Sequence, residues 1–143
     1  MLGEQIGEGR GKRTGRRVIA IDPSPKVEVS FEDQGTLLGV EGMNVGTYVS
    51  CIQADGSLHG DGQGIFATMD GETVTWRGIG VGRLSPGGSV HYSGSLSYTT
   101  TSQKLSPLNG ISGVFEFNVD AEGNTSSKAW AWTNAAATQS AGA

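Results

Sequence analysis

The sequence predicts an all-β fold, a closed antiparallel barrel of about eight strands. Three observations carry this. Apolar and polar residues alternate with a period of two along most of the chain. Turn signals separate the alternating runs, and 24 glycines stand against only 4 prolines. Helical periodicity is not sustained anywhere. So much glycine does not suit a helical bundle, and without a three-residue period it is not collagen-like.

The elements follow in order. Val27, Val29 and Phe31 alternate with Glu28, Ser30 and Glu32, and Val45, Thr47, Val49 and Cys51 form a second row. Tyr92, Leu96 and Tyr98 alternate with Ser93, Ser95 and Ser97, as Phe115, Phe117 and Val119 do with Glu116 and Asn118. Asp55-Gly56 and Asp70-Gly71 read as two-residue hairpin turns, since both residue types tolerate positive φ. Ser85-Pro86-Gly87-Gly88 and Glu122-Gly123 mark two more turns. Strands are expected near 5–11, 15–21, 26–41, 44–53, 58–69, 72–84, 89–101, 114–120 and 125–133, the first two merging into one long strand bent at Gly15. A meander leaves two exposed edges unless it closes, hence the barrel. The connection Leu108–Gly113 is placed to cap one end. Residues 1–134 form a single domain, and 135–143, rich in small residues, read as a disordered tail.

Composition excludes several functions. At 143 residues the chain removes roughly two-thirds of its unfolded surface from water without a staple. Cys51 is the only cysteine, so no intrachain disulfide or cysteine-based zinc site can form. The first residues lack the regions of a signal peptide, and no apolar run approaches the ~20 residues needed to span a bilayer. A reduced, cytoplasmic setting is expected, with no membrane partner. Charge is uneven. Arg10, Lys12, Arg13, Arg16 and Arg17 against Glu4 and Glu8 give the first seventeen residues +3, leaving −7 for the rest of a chain of net charge −4. No aromatics interleave these arginines as single-strand binders require, so the segment reads as a basic strand on an acidic body and no nucleic acid is expected. Gly7–Thr14 superficially resembles a phosphate loop, but Ile6 and Arg13 occupy the wrong positions.

Taking the Asp-Gly pairs as turn centres pairs Met69 with Glu72 and Cys51 with Gly60, and taking Ser85–Gly88 as a loop pairs Leu84 with Ser89. One face then gathers Val45, Val49, Cys51, Phe66, Ile79, Val81, Tyr92, Leu96 and Tyr98, and being the more apolar it is assigned to the lumen. Gly60, Gly62 and Gly64 fall on that face, and Gly78, Gly80 and Gly82 on the other. Such rows permit curvature or leave room for a ligand. Trp76 falls outside and suggests a partner surface, hence a homo-oligomer. His59, His91, Asp61 and Ser93 also fall outside and read as surface polar residues. Arg77 falls inside, where its permanent charge must meet an anion, carbonyls or water.

The series Thr99–Leu105, Leu108-Asn109-Gly110, Val114–Phe117, Gly123-Asn124 and Trp130-Ala131-Trp132, with Gly62-Gln63-Gly64 and Asp70-Gly71-Glu72, resembles a family of small bacterial proteins similar to the allene oxide cyclase-like, or calycin-like, barrels. The resemblance covers about residues 15–133. It implies a lumen that folds an apolar substrate without a cofactor, and frequent oligomers, while the catalytic glutamate of the plant cyclases finds no counterpart. The expectation is therefore a lumen binding a small, largely apolar molecule, with Val49, Cys51, Phe66, Ile79 and Leu96 as contacts. In a cofactor-independent cyclase or isomerase, Arg77 would stabilise an oxyanion, Tyr92 and Tyr98 would donate hydrogen bonds or relay protons, and Thr75 would assist. No metal is expected. The other reading is a non-catalytic carrier or structural oligomer whose barrel is filled by side chains.

Overall fold

The computed structural model describes residues 1–136. Eight strands run in chain order: β1 (Leu2–Ala20), β2 (Lys26–Leu37), β3 (Val40–Ile52), β4 (Ser57–Thr68), β5 (Thr73–Leu84), β6 (Val90–Thr100), β7 (Ser112–Val119) and β8 (Asn124–Trp132). Each pairs antiparallel with the next, and β8 returns to β1, so the sheet closes into a barrel. β1 is one long strand whose register against β2 shifts between Arg13 and Gly15, a bulge at the expected bend. Its pairing with β8 ends at Lys12–Asn124, and beyond Arg13 it pairs with β2 alone.

The turns correct the expected register. At Gln53–Gly56, Thr68–Gly71 and Asp120–Gly123 the glycine N–H donates to the carbonyl three residues back, at 3.0–3.1 Å. Only the glycine of each turn has positive φ, between 85° and 88°. These are type I turns closed by a left-handed glycine, so each loop holds one residue more than the two-residue turn. Ala67 therefore faces Thr73 and Cys51 faces His59, and at the Ser85–Gly88 turn, where Gly87 and Gly88 both have positive φ, Leu84 faces Val90. The two-residue hairpin lies elsewhere, at Leu38-Gly39, both with positive φ. It divides the span 26–41 that the alternation had suggested was one strand.

Two apolar clusters fill the interior. One holds Ile6, Leu37, Phe66, Val74 and Tyr98, and Leu105 and Leu108 around the 3₁₀ turn Ser106–Gly110 plug it, both fully buried. The expected cap is thus present. The other cluster, toward the opposite end, holds Phe31, Leu58, Tyr92, Phe117 and Val119. Among the described residues no helix is long and apolar enough to cross a membrane. Most of the expected tail, residues 137–143, lies outside the described residues.

Candidate functional site

Both glycine rows face the lumen. In the true register Ser50, Gly60, Gly80 and Gly94 lie side by side across four strands, next to Tyr48, Gly62, Gly78 and Leu96. Side chains from other strands use the room. A Cβ on Gly60 would meet the Tyr92 ring at 3.2 Å, and one on Gly80 the Phe115 ring at 3.2 Å. Phe31 and Phe117 pack at 4.8 Å between ring centres, with Tyr48 at 6.0 and 5.7 Å from them. Between the two clusters a cavity of about 140 Å³ remains. Phe66, Trp76, Leu96 and Tyr98 line it, with backbone at Gly62 and Gly78.

Asp33 and Asn44 bring polarity into this apolar lining. Asp33 is buried on β2 opposite Gly11, and a Cβ on neighbouring Gly9 would lie 2.8 Å from its carboxylate oxygen. Only glycine on β1 leaves that carboxyl its place. Trp76 Nε1–H donates to Asn44 Oδ1 at 2.8 Å, and the Asn44 amide donates to Asp33 Oδ2 at 3.4 Å. The chain fixes the orientation of the Asn44 amide. Burial pushes the Asp33 carboxyl above its ordinary value, and the Asn44 contact offsets that only in part. Across Gly11 from Asp33, Thr125 on β8 is also buried, and its Oγ1 has no protein partner. Burial likewise raises the hydroxyls of Tyr48, Tyr92 and Tyr98, with Tyr92 in a 2.6 Å hydrogen bond to Ser50. The site thus combines a preformed apolar cavity with a carboxyl held toward its neutral form, a group able both to donate and to accept a proton.

The register divides the expected site residues. Phe66, Tyr92 and Tyr98 are buried in the lumen, and half-buried Leu96 lines it. Arg77 and Thr75 point outward and are exposed, as is Ile79 at 61%. Val49 and Cys51 sit half-buried on the outer face, beside His59 and Val81. Arg77 therefore has no need of an internal anion, and the grouping of Arg77, Thr75, Tyr92 and Tyr98 is split across the sheet. One residue of slip on each side of β4 inverted β3 and β5 while leaving β4 and β6 correct. His59, Asp61 and Ser93 are exposed as expected. Trp76, expected outside, points inward as a donor to Asn44, so it offers no partner surface. Exposed apolar side chains on the outer face are instead Val45, Ile65, Ile79 and Val81.

Asp33 and Asn44 escaped the sequence reading, which placed Trp76 on the opposite face. Asp33 shares the lumen parity of Val29 and Phe31, and a carboxylate in an apolar row was the available signal.

No family model matches this chain, nor does any curated protein. Solved structures with the same barrel include a conserved protein of unknown function from Rhodopseudomonas palustris, at TM-score 0.75 and 11% identity over 92% of this chain and 99% of that one. A protein of unknown function from Clostridium acetobutylicum matches at TM-score 0.76 and 11% identity, covering 90% and 98%. A β-barrel-like protein from Acinetobacter baumannii matches at TM-score 0.76 and 13% identity, covering 92% and 94%. At such identities the likeness is one of fold.

Proposed function

We propose that the barrel binds a small, largely apolar molecule in its lumen with a polar atom of that molecule against Asp33. The carrying observation is a buried carboxyl, raised by burial and held by one long hydrogen bond, beside an apolar cavity. A cavity of this size takes a group about as large as a benzene ring. If the protein is catalytic, Asp33 is the proton carrier of a cofactor-independent isomerase or cyclase, with Tyr98 as the nearest counterpart of the tyrosine roles expected from the sequence. The resemblance to allene oxide cyclase-like barrels agrees with such chemistry.

A second reading, a structural barrel filled by its own side chains, draws on the close packing of Phe31, Phe117 and Tyr48. Calorimetric titration with 3-phenylpropan-1-ol separates the two. The proposal expects saturable binding that weakens about tenfold in Asp33→Ala, which removes the polar contact without adding bulk to the lumen. A barrel that takes up no alcohol at millimolar concentration is the filled one.

A further inference from the structure

The end of the barrel opposite the Leu105–Leu108 plug carries an arrangement that cavity binding alone leaves unexplained. Alternation would put Arg13 and Arg16, three residues apart, on opposite faces of β1. The bulge between Arg13 and Gly15 restores them to one face: Arg13 pairs with Phe31 and Arg16 with Val29, both buried inward-facing residues. β8 begins at Asn124, so Arg13 stands at the rim, its N–H donating to the Gly123 carbonyl at 2.8 Å, and Arg16 stands on the stretch of β1 that pairs with β2 alone. Arg13 is half-buried, and its guanidinium lies along the neighbouring β7–β8 turn, where a Cβ on Gly123 would lie 3.3 Å from Nη2.

Neither guanidinium has a carboxylate within ion-pair distance among the described residues, whereas neighbouring Arg17, on the outer face, pairs with Glu28 at 3.3 Å. Inward of them lies Tyr48, which also lines the cavity and shares a row with Val29 and Arg16. Both arginines lower the Tyr48 hydroxyl against the larger upward effect of its burial, so their field reaches the cavity wall. Two permanent charges without a carboxylate partner, on the inward face of β1 just outside cavity-lining Phe31 and Tyr48, suit an anion joined to an apolar body.

We propose that Arg13 and Arg16 hold the anionic head of a compact aryl acid whose ring enters the lumen. This rests on the lumen-binding reading above and specifies its ligand class as a ring of about benzene size that carries a polar atom for Asp33 and, on a short arm, a carboxylate, sulfonate or phosphate. Tyr48 lies between head and ring.

The test compares two probes that differ only in the head, 3-(4-hydroxyphenyl)propionate and 3-(4-hydroxyphenyl)propan-1-ol, whose ring hydroxyl is left to meet Asp33, by calorimetric titration of the full chain. The acid is expected to bind about tenfold more tightly than the alcohol, as for charge-assisted contacts. In the double variant Arg13→Gln/Arg16→Gln that preference falls to near unity while alcohol affinity stays as it was. Raising the salt concentration with the unaltered protein should weaken the acid and not the alcohol, a readout independent of the variant's folding. Equal affinities for the two probes, or a preference that survives the double substitution, would overturn the anionic-head assignment and leave lumen binding standing. If neither probe binds, lumen binding falls and this inference with it.

Discussion

Asp33 shows how much one side chain can reveal once its neighbours are known. Its carboxyl is placed by what surrounds it: glycines on β1 make room, Asn44 offers one donor, and the lining is otherwise largely apolar. Burial raises its proton affinity in the folded state above that of the unfolded chain, near pH 3.9 for a free aspartate. Below that value both states are protonated and burial of the charge costs nothing. As pH rises through the folded value, the native barrel must hold a buried carboxylate, and stability falls. Asp33→Asn should therefore melt higher than the unaltered protein at pH 7, by about 1 kcal/mol of stability, with the gain vanishing below about pH 4. Thermal melts at several pH values check this, and an equal offset at every pH would show that the carboxyl's ionisation plays no part. The same carboxyl was hard to notice in sequence, because one aspartate among 14 acidic residues stands out only when the inner face of its strand is known.

At the scale of elements, the strands were legible and their facing was not. Alternation and turn signals give nearly every strand, including the long first one and its bend at Gly15. The error lay in the loops: Asp-Gly reads equally as the centre of a two-residue turn or as the end of a type I turn closed by glycine, and the two differ by one residue. Only the positive φ of Gly56 and Gly71, without a matching value at Asp55 or Asp70, selects the second. That single residue moved Trp76 and Tyr48 into the lumen and Ile79, Arg77 and Thr75 out of it. The 3₁₀ plug depends less on register. Leu108 is fully buried within the cluster that closes its end of the barrel. Leu108→Ala should destabilise the protein by about 2–5 kcal/mol in chemical denaturation, as for other deletions of fully buried leucine.

For the whole molecule, every strand pairs on both sides and the sheet closes, and the barrel's two clusters leave a cavity between them. Glycine rows that the sequence split between inside and outside all face inward, so they serve curvature and interior space together: several make way for aromatic rings, and Gly62 and Gly78 border the cavity. The outer face of β3 to β5, with Val49, Ile79 and Val81, supplies the competing surface on which an apolar probe would settle if the lumen were closed to it. Protein-detected NMR during titration with 3-phenylpropan-1-ol distinguishes the two faces directly. Saturable shifts are predicted at Asp33, Asn44, Phe66, Tyr98 and the Trp76 indole N–H, with little change at Ile79 and Val81. Shifts confined to Val49, Ile79 and Val81, or none at the Trp76 indole at saturation, would contradict binding in the lumen.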